Sequence, residues 1–250
     1  MLTSLRALNL GAMAAAVEQT ALRAAKEGMS HEAFLLELAR IERAAKTARR
    51  IERLLRQSEL LPQKTFRSID LNRFDAATRR QIDQLRSAAF LKEAINVVAL
   101  GRPSAGKSHL ACALGHALVE QGYPVLFAPT STLMQRLLAA KRDLRLPQEL
   151  AKLDRFECRI LDNIGYLQHD RDEMEVLFTL LAERYERKSI VITTNLVCSQ
   201  WARIFKDPMT TLADIDRLVH HSVVLDLMTL ESYRAKNASA QANTSAPVAA

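Results

Sequence analysis

The sequence predicts an α/β domain with a mostly parallel sheet, preceded by a small all-helical domain. Three observations carry this. Five short apolar runs rich in β-branched residues recur from Ile95 onward, helical stretches of about ten to fifteen residues lie between them, and no Pro precedes Pro62. Strand and helix alternating in this way build a parallel sheet covered on both faces.

The first segment, Leu2 to Leu61, contains only Gly11 and Gly28 as breakers and reads as two or three helices. Phe34, Leu35, Leu38, Ile41, Ala45, Ala48, Ile51 and Leu55 step by threes and fours, which predicts an amphipathic helix starting near Ser30. Ser30, His31 or Glu32 can satisfy its first-turn amides. The opposite face is basic: Arg40, Arg43, Lys46, Arg49, Arg50, Arg53 and Arg56 stand against Glu42 and Glu52, with Arg43, Lys46, Arg50 and Arg53 on one stripe. Such a stripe supplies sequence-independent attraction to phosphates, or it is simply a solvated face. Phe34 is the only aromatic residue here, which argues against a stacking platform for single strands.

Residues Pro62 to Asn72 break the pattern and read as a connector, followed by a short helix around Asp75 to Phe90 with Ile82 and Leu85 inward. The strands are Ile95–Leu100, Pro124–Ala128, Cys158–Leu161, Ser189–Thr194 and Ser222–Leu225, with helices notably at Lys107–Gln121 and Asp172–Arg187. From Ala235 on, the chain is too poor in large apolar side chains to pack and reads as a disordered tail.

Immediately after the first strand, Gly101-Arg102-Pro103-Ser104-Ala105-Gly106-Lys107-Ser108 satisfies G-x-x-x-x-G-K-[ST] and runs into a helix. The amides of that turn and the helix dipole converge where a phosphate binds. Gly101 and Gly106 let the backbone approach the β-phosphate, Lys107 reaches the β- and γ-phosphates, and the Ser108 hydroxyl is placed for Mg²⁺. Asp162, ending the Cys158 strand, is the second candidate ligand of Mg²⁺. The next residue is Asn163, where ATPases of this kind usually carry Glu to polarise the attacking water. An amide orients water but takes no proton, so slow hydrolysis is expected. Asn195, after the Ser189 strand, can touch the γ-phosphate or the lytic water, and Arg217 is a candidate finger reaching a neighbouring subunit's nucleotide.

Composition narrows the setting. The 250 residues include 35 Lys and Arg against 28 Asp and Glu, 48% hydrophobic residues and 3 Cys with no CxxC pair, so neither a disulfide framework nor a zinc ribbon is expected. No apolar run is long enough for a membrane span, and the acid-free start, Met1 to Val17, continues a helical pattern with no cleavage-type boundary. A cytoplasmic protein is expected. Residues 1–100 hold 17 Lys and Arg against 11 Asp and Glu, whereas residues 101–250 hold 18 against 17, so the basic excess precedes the phosphate loop and predicts an acidic partner.

The blocks NVVALGRPSAGKSHLACALG, RILDNIGYLQHDRDEMEVLFTLLAERYERKSIVITTN and SQWARIFKDPMTTLADIDRLVHHSVVLDL, with ESYR beyond, resemble the IstB-like transposition helper ATPases, AAA+ relatives of DnaC-like helicase loaders. The likeness covers about Phe66 to Arg234. It implies a P-loop AAA+ three-layer αβα fold, with residues 1–62 as the basic helical domain, 63–236 as the ATPase domain and 237–250 as the tail. It also implies ATP and Mg²⁺ as cofactors, a homo-oligomer (ring or spiral) with ATP at subunit interfaces, double-stranded DNA as partner, and a transposase of the same insertion sequence. Gly101 to Ser108 match the Walker A loop with His109 following, Asp162 the Walker B Asp, Asn195 a sensor, Arg217 the Arg acting across subunits, and Arg234 a further nucleotide sensor. The sequence departs from the usual pattern at Asn163 and, more mildly, at Ser104-Ala105. A helicase loader whose N-terminal helices bind a helicase is the alternative. A small-molecule kinase would need a lid and further carboxylates that the sequence does not display.

Overall fold

The structure, a computed structural model, describes residues 1–164, 171–196 and 221–230. Contacts divide the chain into two units, Met1–Arg56 and the chain from Gln57 on.

The first unit is helical, with α1 (Leu2–Ala7), α2 (Gly11–Glu27) and most of α3 (His31–Ser58). Of the three residues the sequence offers for the first-turn amides, Ser30 caps α3 by accepting the Ala33 amide at 3.2 Å. The buried positions are fewer than the apolar periodicity suggests. Ala14, Val17, Leu38 and the carboxylate-bearing Glu42 are buried, while Leu35 is 62% exposed.

In the second unit the stretch expected to be a plain connector folds into two 3₁₀ turns, Phe66–Ser68 and Leu71–Arg73. Thr65 and Ser68 cap one another, and Asp70 accepts the Asn72 amide at 3.0 Å. Asp75 accepts the Thr78 amide at 2.6 Å and starts α4 (Ala76–Arg86). The helix expected to run to Phe90 breaks at Ala88, whose φ of 61° no α-helix accommodates, and resumes as α5 (Ala89–Lys92).

There follow β1 (Asn96–Gly101), α6 (Lys107–Glu120), β2 (Val125–Pro129), α7 (Thr130–Arg142), α8 (Leu146–Leu153), β3 (Cys158–Ile164), α9 (Arg171–Arg184), β4 (Ser189–Thr194) and β5 (Ser222–Leu227). The strands form one parallel sheet in the order β2-β3-β4-β1-β5. All six residues of β1 are buried, which explains why it reads as an unbroken apolar run and does not alternate. One side of the sheet packs Val98, Leu100, Leu161 and Ile192 with Leu133, Met134 and Leu137 of α7, Leu150 and Leu153 of α8, and Leu177 and Leu180 of α9. Against β3, α6 sits so close that a Cβ on Gly115 would lie 2.8 Å from Ile160 Cδ1. This parallel α/β arrangement is the predicted one.

Strand β3 departs from expectation. It does not end at Asp162 but continues to Ile164, with a register shift against β4 between Leu161 and Ile164. At the opposite end of the sheet, Arg184 donates to the carbonyls of Phe156 (3.1 Å), Glu157 (3.0 Å) and Ser189 (3.2 Å), tying the entries of β3 and β4 to the end of α9.

Candidate functional site

A cleft of about 430 Å³ lies in the second unit where β1 passes into α6, at the carboxyl ends of β3 and β4. This is the position at which open α/β sheets bind ligands. Its floor is the loop from Pro103 to Ser108, with His109 beside it, and Asp162, Asn163 and Asn195 close one side. The remaining wall comes from the two 3₁₀ turns and what flanks them: Lys64, Ile69, Asp70, Arg73 and Phe74. None of those five carries a sequence signal, because aperiodic residues in the connector and just past it give no hint of what they face.

The loop is shaped by backbone. Ser104 has φ 64° and Gly106 φ 97°, so left-handed residues alternate with ordinary ones and turn successive amides toward one point, the geometry of an anion nest. A Cβ on Gly106 would meet nothing within 4 Å among the described residues, so it is backbone conformation there that asks for glycine. Gly101 differs. A Cβ there would lie 3.0 Å from Leu227 Cβ and 3.1 Å from Leu227 O, so its missing side chain lets β5 pack against β1. Gly101 and Arg102 do not line the cleft; their carbonyls accept from Lys107 Nζ at 2.7 and 2.9 Å.

Lys107 is 8% exposed, and burial holds its ammonium below the usual lysine range, opposed by the charge of Asp162. A desolvated cation at the mouth of an amide nest is matched to an anionic ligand. His109 shares a 2.9 Å hydrogen bond with Ser68 and so links the start of α6 to the first 3₁₀ turn; burial holds its pKa below the usual histidine range. Cys112 and Cys158 are buried, and burial pushes their thiols up, to about 11 and about 12, which leaves them inert.

Asp162 is held at three points. Its carbonyl accepts from Thr130 Oγ1 at 2.9 Å, its Oδ1 accepts from Thr193 Oγ1 at 2.5 Å, and the amide of the next residue, Asn163, donates to the same Thr193 oxygen at 2.8 Å. Asn163 is exposed and left-handed, with φ 69°. Asn195 lies just past β4, and its Oδ1 is buried with no hydrogen-bond partner among the described residues. A phosphate nest, a buried ammonium, a carboxylate and hydroxyl suited to a hard cation, and an orphaned amide oxygen fit a nucleoside triphosphate with Mg²⁺. Arg217 and Arg234 lie outside the described residues.

In the first unit, Arg43, Lys46, Arg50 and Arg53 are exposed, and the first three rim a cleft that also contains Leu10, Met13 and Glu42. Arg49 is engaged differently: its guanidinium donates to Glu42 Oε1 and to the Ala45 carbonyl, both at 3.2 Å. Among the described residues, no helix is long and apolar enough to cross a membrane.

Residues 3–241 match a family model described as IstB-like ATP binding protein. An insertion sequence ATP-binding protein of Sinorhizobium fredii is 42% identical over 221 residues, 88% of this chain and 74% of that one. The insertion sequence IS21 ATP-binding protein of Pseudomonas aeruginosa is 37% identical over 220 residues, 88% of this chain and 83% of its own. Among solved structures, AMPPCP-bound DnaA from Aquifex aeolicus superposes with a TM-score of 0.59 at 14% identity, covering 75% of this chain and 57% of that one. The fold is the P-loop AAA+ fold.

Proposed function

The chain belongs to the family of IstB-like ATP-binding proteins, and from that membership we propose that it is an ATP-dependent, DNA-binding helper of insertion-sequence transposition. One observation carries the proposal: the cleft joins an amide nest, the buried ammonium of Lys107 and the pinned carboxylate of Asp162. Gly106, Lys107 and Ser108 hold the phosphates of ATP, and Ser108 and Asp162 hold Mg²⁺. When bound, the cation neutralises charge on the phosphates. Asn163 and Asn195 orient the attacking water, and without a Glu after Asp162 hydrolysis is slow.

Subunits assemble with ATP at their interfaces, Arg217 acting on a neighbour's nucleotide and Arg234 sensing the bound one. The assembly aligns the basic first units along duplex DNA, where many weak phosphate contacts add up. The transposase of the same insertion sequence is the protein partner, and the setting is the cytoplasm. Relatives that carry insertion-sequence names favour this reading over a helicase loader.

The test is duplex binding and assembly with and without ATP. Affinity and footprint are expected to rise with ATP, fall steeply with salt and show little sequence preference. A Lys107→Ala protein that assembles and binds DNA like the wild type would overturn the mechanism.

A further inference from the structure

Strand β4 ends in two buried threonines, Thr193 and Thr194, and both spend their hydroxyls on the irregular end of β3. The register shift takes Asp162 and Asn163 out of the ladder with β4, which would leave backbone groups without strand partners. Thr194 Oγ1 donates to the Ile164 carbonyl at 2.8 Å, and Thr193 Oγ1 accepts the Asn163 amide at 2.8 Å. The two side chains together template the bulge.

For Thr193 this has a directional consequence. A hydroxyl carries a single proton. Because its oxygen receives the Asn163 amide, that proton is the one directed at Asp162 Oδ1, 2.5 Å away. The contact is a charge-assisted bond of the short, strong kind. One carboxylate oxygen is thereby engaged and the rotamer fixed, while no described residue donates to the other, Oδ2. We infer that Thr193 is a positioning residue for Asp162: through the bulge at Asn163 it selects the carboxylate oxygen presented to a cation in the cleft. The inference rests on the proposed Mg²⁺-nucleotide role of the cleft and goes beyond it by assigning the orientation of Asp162 to a side chain on another strand.

Two measurements on Thr193→Val and Thr193→Ser decide it. In the nucleotide-free protein, amide exchange at Asn163 is expected to speed up in T193V and to stay protected in T193S. In equilibrium binding of a fluorescent ATP analogue, the Mg²⁺ concentration giving half-maximal enhancement is expected to rise about tenfold to a hundredfold in T193V. T193S stays close to wild type, and binding in EDTA is the same for all three. Should T193V fold poorly, Thr193→Cys, a weaker donor, carries the same comparison with a smaller shift. Equal Mg²⁺ dependence in T193V and wild type, or equal weakening in T193S and T193V, overturns the inference alone. Wild-type binding that ignores Mg²⁺ overturns the proposed function of the cleft, and the inference falls with it.

Discussion

Arg49 closes onto Glu42 at 3.2 Å, and the same carboxylate accepts the Met13 amide at 2.9 Å, so one residue of the basic face caps the start of α2 and another neutralises it. The basic face therefore contains two kinds of cation. Arg43, Lys46 and Arg53 are exposed and available to phosphates, whereas Arg49 serves the fold. Under the proposed function, Arg43→Ala and Lys46→Ala each flatten the slope of log affinity against log salt by about 0.9 for every phosphate contact removed. Arg49→Ala leaves that slope unchanged, whereas Glu42→Ala, which takes the carboxylate away from the Met13 amide, lowers the stability of the helical unit at neutral pH. The Met13 amide holds the Glu42 carboxyl below its ordinary value of 4.5, so its stabilising effect is complete above that pH and is lost as pH falls through the lower folded value. Fluorescence anisotropy with duplex across a salt series, and circular dichroism across an acid series, check the two halves.

The two glycines of the phosphate loop separate in the same way. Gly101→Ala drives a methyl against Leu227 and, less closely, against Ala105, and is expected to cost about 1–3 kcal/mol of stability while keeping the left-handed turns of the nest. Gly106→Ala meets no atom of the described residues but must hold φ at 97°, a cost of about 1–2 kcal/mol, and it alters the nest itself. Thermal unfolding with and without Mg²⁺-ATP distinguishes them. The nucleotide-induced rise in Tm survives in the first variant and disappears in the second.

Asn163 sits where left-handed backbone favours it, since Asn visits that region more readily than Glu. Asn163→Glu supplies a carboxylate that can accept a proton from water, and phosphate release is expected to rise by about tenfold or more. The same variant loses about 1 kcal/mol of stability to the strained φ. Equal hydrolysis rates would remove position 163 from the chemistry.

What was legible in the sequence follows from what is local. The five strands stand out because burial on both faces demands β-branched apolar runs, and the phosphate loop because its glycines and Lys107 answer to one short turn. What escaped is held by distant partners. The bulge at Asp162 and Asn163 depends on Thr193, thirty residues on, and nothing within CRILDN announces it. Lys64, Ile69 and Asp70 read as a connector because aperiodic residues do not reveal that 3₁₀ turns fold them over the cleft. Glu42 reads as one of two acids on a basic face, and only the proximity of α2 makes it a buried cap.

Two buried arginines at the far end of the sheet predict opposite effects of the same substitution. Arg184 is 1% exposed and satisfies carbonyls of Phe156, Glu157 and Ser189, so Arg184→Met strands those acceptors and is expected to destabilise by about 3 kcal/mol or more. Arg159, on β3, is 2% exposed, and its Nε and Nη1 find no acceptor among the described residues. Burial, reinforced by the charge of Arg184, pushes its guanidinium down to about 9. A buried cation that leaves two of its nitrogens without acceptors and whose folded pKa is depressed opposes folding wherever it stays charged in both states, here at every pH below about 9. Replacing such a group by an apolar side chain of similar volume is often stabilising by about 1–4 kcal/mol. Arg159→Met is therefore expected to raise Tm by several degrees at pH 7, at about 2–4 °C per kcal/mol for a chain of this size, with the gain shrinking as pH rises past 9. A lower Tm for Arg159→Met at neutral pH would show that the Arg159 guanidinium is stabilised by a partner beyond those described.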